Sequence, residues 1–338
     1  MTRHRRLPSP RYLKGFSLIE LMVSMAISLI IAAAAFSAYL GAAGASKIAE
    51  AQGRMNEDAQ AALTILTQQL RMAGGNPNQP GRTDKSRRNP VYTPYDPATF
   101  TILPVTFALS SFSIRGCDGT FSNIATATGL DDLNCAAGAG ALPDSIVVSY
   151  EADAFNSVST TAKVPTDCLG VGLEQATATF PLELPSGPYS YYVANNLFYI
   201  GTSGSIVSPS LYCKGNGVAS TALPLVENIE DMQFTYGAVK SSTAATDVTT
   251  AVVAGYLTAD QVLTQINMAG LASDAERWAK VITVRICVLV RSEVPVAPDS
   301  ASARYLKCDG TLETTPPDLR LRRAYQATVV LRNRRFLP

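Results

Sequence analysis

The residue types that carry most enzymatic chemistry are scarce in this chain. Its single histidine, His4, lies in the extreme N-terminal segment, so a Ser-His-Asp triad, a Cys-His pair or a histidine-ligated metal would all need this one side chain. The adjacent acids Glu230 and Asp231 would point to opposite faces of a strand and could not converge on a substrate. We find no phosphate-binding loop, GxGxxG or CxxC motif. The sequence therefore predicts no catalytic residue, no cofactor-binding residue, no cofactor and no metal ligand.

The six cysteines predict disulfide chemistry instead, because the N-terminal segment described below favours export to an oxidising compartment. Six cysteines allow fifteen pairings. Of these we predict pairing between sequence neighbours, which joins Cys117 to Cys135, Cys168 to Cys213 and Cys287 to Cys308. The first and third bonds would close short loops beside two similar Cys-Asp-Gly-Thr turns, at 117–120 and 308–311. A calcium site on those aspartates lacks a recognised ligand spacing.

A basic N-terminal segment precedes a long uncharged one. Residues 1–15 contain five basic and no acidic side chains, and no charged residue occurs from Leu21 to Ala45. Twenty-five helical residues span about 37 Å, enough to cross a bilayer core of about 30 Å. The basic flank stays in the cytoplasm, so the C-terminal body is exported. A cleaved signal peptide and an ordinary signal anchor are the alternatives that charge and length leave open.

The elements that follow predict an α+β protein. Apolar residues continue at helical spacing beyond Ala45, which predicts one helix from Phe16 to Ala73 ended by Gly74-Gly75. From about Phe100 the chain alternates in the manner of strands, with a hairpin turn at Asn195-Asn196 and one helix near Thr258–Ala269. The predicted strands are 107–115, 145–150, 189–194, 197–201, 232–236, 282–290 and 325–332.

These elements give a four-part organisation. We predict a basic leader at 1–15, a transmembrane half-helix at 16–45, an amphipathic half-helix at 46–75 and a β-rich globular domain at 76–338. The long helix would pack on an antiparallel sheet. Removing the leader takes away five basic residues from 28 basic and 27 acidic ones, which leaves a net charge of −4, so no nucleic-acid partner is expected.

A C-terminal group of arginines is the main basic feature of the body. On strand parity, Arg320, Arg322 and Arg332 are expected to face outward together with Arg334. Solubility of an edge strand or salt bridges between subunits are the simpler interpretations, and DNA contact is the alternative.

The run Lys14-Gly15-Phe16-Ser17-Leu18-Ile19-Glu20 resembles the type IV prepilin signature. The resemblance implies that a prepilin peptidase cuts after Gly15 and N-methylates Phe16, and that Glu20 pairs with the terminal amine of a neighbouring subunit during assembly. An unpaired acid is costly in a membrane, by about 2.5–3.5 kcal/mol at its centre. The alternative is that Glu20 only extends to the headgroups.

Segments of the C-terminal half resemble PilW-type minor pilins. They are 226–237, 278–292 and 321–334, and the helix end at 70–74 fits the same family. The resemblance covers roughly residues 15–75 and 224–335, and no recognised motif falls within 76–223.

The resemblance implies a structural, non-enzymatic minor pilin. It would span the inner membrane once with its body in the periplasm, and enter the pilus fibre or its tip after assembly. Its partners would be other minor pilins, the major pilin, the prepilin peptidase and the pilus assembly platform. A J-type minor pseudopilin of type II secretion is the closest alternative, and a tip adhesin or DNA-binding pilin is the second.

Overall fold

The protein is described here by a computed structural model that covers residues 15–75, 113–124, 127, 130, 133–136, 142–179, 188–203, 207–239, 253–265 and 274–333. The leader before Gly15, the first part of the strand predicted at 107–115, the end of the helix predicted near 258–269, and Arg334 lie outside these residues. In chain order the elements are α1 (Leu18–Met72), β1 (Ile114–Cys117), β2 (Ser145–Ala152), β3 (Ala176–Thr179), β4 (Pro188–Gly201), β5 (Ser210–Lys214), β6 (Leu223–Glu227), β7 (Ile229–Val239), β8 (Val253–Leu257), α2 (Ala259–Gln265), α3 (Asp274–Trp278), β9 (Val281–Arg291), β10 (Tyr305–Leu306), β11 (Leu312–Glu313) and β12 (Arg322–Val330).

The chain forms two units, Met1–Glu50 and Ala51–Pro338. The described part of the first unit is the beginning of α1, whose side chains are almost all exposed although most are apolar. Within the described residues α1 alone is long and apolar enough to cross a membrane, with a mean hydropathy of 2.3 in its most apolar stretch.

The rest of α1 belongs to the second unit, where one stripe of the helix is buried. Its buried residues are Met55, Ala59, Ala62, Leu66 and Leu70, spaced as the sequence pattern predicts. The helix ends where predicted: Gly74 adopts a left-handed φ of 69°, and the Gly75 N–H donates to the Met72 carbonyl over 2.7 Å.

The described part of the body contains two main antiparallel sheets. One has the strand order β1-β2-β4-β5-β6 with β3 paired to β4, and the other has the order β12-β9-β7-β8. The small hairpin β10–β11 is separate. The α+β prediction of a long N-terminal helix with an antiparallel β domain is confirmed.

The main hydrophobic core contains the α1 stripe, residues from both sheets, and Trp278. On β9 the alternate residues Val284, Ile286, Val288 and Val290 are fully buried, as predicted for the inner face of that strand. A second, smaller cluster contains Phe121, Leu130, Leu133, Val147 and Leu197. Since Val147 and Leu197 alternate with main-core residues, this cluster lies on the other face of the first sheet.

The hairpin predicted at Asn195-Asn196 is wrong, because β4 runs through both residues. The buried Asn196 amide donates to Gln69 Oε1 over 2.8 Å and accepts from the Cys168 N–H over 3.0 Å. Asn195 Oδ1 accepts from the Ser149 hydroxyl over 2.6 Å. Cross-strand and helix partners thus satisfy two side chains that are typical of turns.

The expectation that Arg322 faces outward is also wrong. Its side chain is only 1% exposed, and its guanidinium binds both Glu230 and Asp318. Glu230 is therefore paired with an arginine rather than free in solvent. Burial raises the pKa of the neighbouring Asp231, whose carboxylate accepts from the Met232 N–H. Buried arginine is tolerated when carboxylates satisfy its donors.

Candidate processing and assembly site

The predicted cleavage position lies just before the long helix and is open. Gly15, Phe16 and Ser17 precede the first helical residue, Leu18. A side chain at Gly15 would meet nothing within 4 Å, and Phe16 is 89% exposed. The peptide bond between Gly15 and Phe16 is therefore not protected by packing within the described residues.

Ser17 and Glu20 form a reciprocal capping box at the start of α1. The Ser17 N–H donates to Glu20 Oε2 over 2.8 Å, and the Glu20 N–H donates to Ser17 Oγ over 3.2 Å. This arrangement satisfies two backbone donors that the first helical turn leaves free. It also holds a carboxylate at the positive end of the helix dipole, where a negative charge is favoured. The Ser-x-x-Glu spacing at 17–20 is a sequence signal for this cap that the sequence analysis missed.

Glu20 lies at one end of an apolar helix surface. Ile19, Val23 and Ile27 line a shallow groove together with Glu20 and Ser24. The Ser24 hydroxyl donates to the Leu21 carbonyl over 2.9 Å, so it stays within its own helix. Glu20 is the only charged residue from Gly15 to Ala45. This surface can accept an apolar neighbour and one positive charge.

The cysteines form structural rather than redox sites. Cys117 bonds Cys135, Cys168 bonds Cys213 and Cys287 bonds Cys308, in the pairing that the sequence analysis predicts. All six are bonded. Cys213 lies on β5 in the main core, while Cys117 ends β1 in the second cluster. The bonds thus attach loops to strands.

The two Cys-Asp-Gly-Thr turns differ in what their aspartates bind. Gly119 and Gly310 both adopt positive φ angles, of 101° and 82°, as the predicted turns require. Asp118 accepts from the Ala259 and Asp260 N–H groups over 2.7 and 3.1 Å and so caps α2. Asp309 accepts from the Thr311 N–H within its own turn over 2.8 Å.

Asp144 is a buried acid that the sequence analysis did not single out. It connects the two sheets: its carboxylate accepts from the Gly119 N–H over 2.9 Å and from the Phe234 N–H on β7 over 2.8 Å. Burial raises the pKa of Asp144 to about 7, although the two N–H donors oppose the shift. No group of three or more His, Cys, Asp or Glu side chains in the described part of the chain could hold a metal ion.

Two protein families match this chain. Residues 197–333 match the type IV pilus-assembly protein W family, PilW, and residues 11–36 match the prokaryotic N-terminal methylation motif. A solved type IV-like pilin from Thermus thermophilus is similar at 13% identity and a TM-score of 0.26, over 57% of this chain and 80% of that chain. No curated protein matches the chain.

Proposed function

Because the two family matches indicate a type IV pilus minor pilin, we propose that this chain is processed between Gly15 and Phe16 and then assembles through Glu20. The observation that carries the proposal is the open Gly15-Phe16 bond directly before an exposed apolar helix with one acid in its first turn. Cleavage would give Phe16 a positive α-amine, and its N-methylation would keep that charge.

Glu20 would then bind the Phe16 amine of a neighbouring subunit. The membrane and the packed fibre both have a low dielectric, so the carboxylate and the amine are each more stable when paired. The apolar groove beside Glu20 would contact the neighbouring helix in the same step. Before assembly, the hydrogen bonds of the capping box and the nearby polar headgroups would lower the free energy of the Glu20 carboxylate in the bilayer.

The apolar helix and the methylation motif indicate membrane anchoring and association with a pilus. We propose that the chain spans the inner membrane once, with its leader in the cytoplasm and its body in the periplasm, as the positive-inside rule favours. Other minor pilins, the major pilin and the assembly platform would be its partners, in a priming complex that remains at the pilus tip.

Processing is tested by expressing the full chain with and without a prepilin peptidase. We expect the chain to lose 15 residues and to begin with N-methylated Phe16 in intact-mass analysis. Gly15→Val should block cleavage, since the peptidase would require a residue without a side chain before the scissile bond. Gly44→Val, whose side chain would also meet nothing within 4 Å, is the matched control and should be cleaved normally. An intact Met1 terminus, or a cut near Ala45, would contradict the proposal.

The choice between pilus assembly and type II secretion is tested by deletion. We expect loss of the chain to reduce surface pili and leave exoprotein secretion unchanged. The opposite result would assign the chain to the secretion system.

A further inference from the structure

Strand β12 forms one edge of the four-stranded sheet and, among the described residues, pairs only with β9. The Leu331 N–H donates to the Ile282 carbonyl, and the Ser292 N–H donates to the Leu321 carbonyl, each over 2.8 Å. In an antiparallel pair the bonded residues alternate, so the odd-numbered residues of β12 bond β9. The backbone N–H and C=O groups of the even-numbered residues point away from β9, outward in the plane of the sheet. These residues include Ala324, Gln326, Thr328 and Val330, and none of the four makes another backbone hydrogen bond within the described residues.

Within the described residues this edge has few of the features that usually block further pairing, and Arg323 is the one exposed charge on the strand. Its nine residues pair with β9 without a bulge and include neither proline nor lysine. The other sheet edges in the described part are shorter or irregular: β1 and β3 have four residues each, β8 pairs through a bulge, and β6 contains Pro224. Free, regular edge strands are templates for another strand. Gln326 and Thr328 are exposed, and Val330 is 55% exposed.

The charges around the edge are positive at both ends. Arg323 and Arg332 are exposed, and neither forms an ion pair with an acid of the described part of the chain, in contrast to Arg320 and Arg322. A second copy pairing antiparallel through β12 would bring the Arg323 end of one chain beside the Arg332 end of the other. Like charges opposed across strands are destabilising, which disfavours a second copy. An acidic strand would be attracted at both ends.

We propose that the free edge of β12 binds an extended strand of a different pilin subunit, one with acidic side chains at its ends. Backbone hydrogen bonds to the four even-numbered residues would give the affinity. Arg323 and Arg332 would select the partner and its register. The inference rests on the proposed function in that the partner is taken to be a pilin.

The test places a photoreactive benzophenone amino acid at Gln326 in the full chain, expressed in its own cells, and identifies the cross-linked peptide by mass spectrometry. A matched probe at Thr315, an exposed residue away from the strand, gives the background. We expect Gln326 to cross-link at least tenfold above background to an acidic segment of another subunit that carries a prepilin N-terminus.

Two variants test the contact itself. Thr328→Pro removes an outward N–H that β9 does not use, so it should lower the cross-link at least tenfold, while Thr328→Val keeps that N–H and should leave the cross-link unchanged. The double variant Arg323→Glu/Arg332→Glu should lower it similarly, and Arg304→Glu, an exposed charge elsewhere, should not. If Thr328→Pro fails to fold, the arginine variants still test whether a partner strand binds this edge.

A cross-link to a second copy, to residues 76–112 of the same chain, or no cross-link above background would each overturn the proposal. Cleavage after Gly15 is measured in every variant. Normal cleavage without a pilin cross-link refutes the edge proposal alone, whereas an uncleaved chain refutes the proposed function.

Discussion

Glu20 has two possible partners, and they make different demands on its side chain. Within its own helix it accepts the Ser17 N–H in the capping box, which requires an acceptor oxygen but no charge. In an assembled fibre it would face a neighbour's Phe16 amine, which requires the negative charge. Substitutions at Ser17 and Glu20 can therefore separate the two roles.

We expect Glu20→Ala to be cleaved and inserted but not to support normal piliation. Loss of one partner of a buried ion pair costs about 3–5 kcal/mol, enough to lower incorporation by orders of magnitude. Glu20→Gln keeps the cap and loses the charge, so it should fail equally. Ser17→Ala loses about 1 kcal/mol of capping and should still assemble. The measurement is the number and length of sheared pili with each variant as the sole copy.

Few pili of ordinary length are the expected defect, because a subunit in the proposed priming role would be needed in few copies. Normal pilus numbers with Glu20→Gln would show that the charge does not drive assembly. If Ser17→Ala fails to assemble while Glu20→Gln assembles normally, the capping box rather than the charge drives assembly.

Gly116 on β1 is required by a buried tyrosine. A Cβ at this position would lie 1.9 Å from the Tyr236 hydroxyl, and Tyr236 packs edge-on against Trp278 with ring centroids 4.7 Å apart. We expect Gly116→Ala to destabilise the body by about 1–3 kcal/mol, as overpacking does. Gly255→Ala, with nothing within 4 Å, is the control and should be within about 0.5 kcal/mol of the natural chain. Denaturant midpoints of the two variants measure the difference.

The Tyr236 hydroxyl has no hydrogen-bond partner among the described residues, so Tyr236→Phe should be neutral or stabilising. It should also recover part of the Gly116→Ala loss. A Gly116→Ala protein as stable as the Gly255→Ala protein would contradict this packing.

Among the elements, the sequence patterns predicted best those with a regular period. The alternation at 282–290 and 325–332 identified β9 and β12, and the three- and four-residue spacing identified the buried stripe of α1. The same rules failed at Asn195 and Arg322, because their partners, Ser149 and Glu230, are distant in sequence. Strands β5 and β6 were missed since they are short and lie among Gly, Ser and Pro.

Strands β2 and β7 are linked by Asp144, and this link should make stability depend on pH. The pKa of Asp144 is raised to about 7 in the folded chain, above about 3.9 for an unfolded aspartate. The folded state therefore holds its proton more tightly, so this group's contribution is complete below about pH 4 and is lost as pH rises to 7. The difference in unfolding free energy between the natural chain and Asp144→Asn should fall over that interval, by up to about 1.4 kcal/mol per unit of pKa shift.

Urea unfolding of both proteins at several pH values between 4 and 8 measures this difference. Asp318 and Glu313 have lowered pKa values. Their contributions to the free energy of unfolding therefore change mainly below pH 4, outside the interval in which the contribution of Asp144 changes. A constant difference between the two proteins would mean that Asp144 is ionised throughout.

At the scale of the whole molecule, the three disulfides should account for much of the stability of the body. Cys168 and Cys213 are separated by 45 residues and join a loop to β5 in the main core. We expect Cys168→Ala/Cys213→Ala to lose about 3–4 kcal/mol in the loop-entropy model. Equilibrium unfolding without reductant measures the loss. Non-reducing peptide mapping of protein isolated from its own cells should find the three pairs and no free thiol, and any other pairing would contradict the structure.

The two ends of the chain were predicted more fully than its middle. The prepilin run at 14–20 and the segments at 226–237 and 278–292 carry local motifs, whereas the strands between 113 and 223 depend on long-range pairing. For the same reason the sequence motif assigns a residue to each step of the proposed processing, whereas the capping box at Ser17 and the buried Asp144 were not predicted.

The attachment of α1 to the body also determines how the subunit responds to force. Between Met55 and Leu70 the buried stripe spans about 22 Å of helix, and polar bonds lie at both ends of it: the Tyr325 hydroxyl donates to Asn56, and Asn333 donates to the Arg71 carbonyl. A pull along the axis of this segment loads all these contacts at once, in shear, rather than peeling them one after another. Detachment would then need a single concerted rupture, whose rate is that of unfolding. The body should remain on its helix under loads that would separate a sequentially peeled interface.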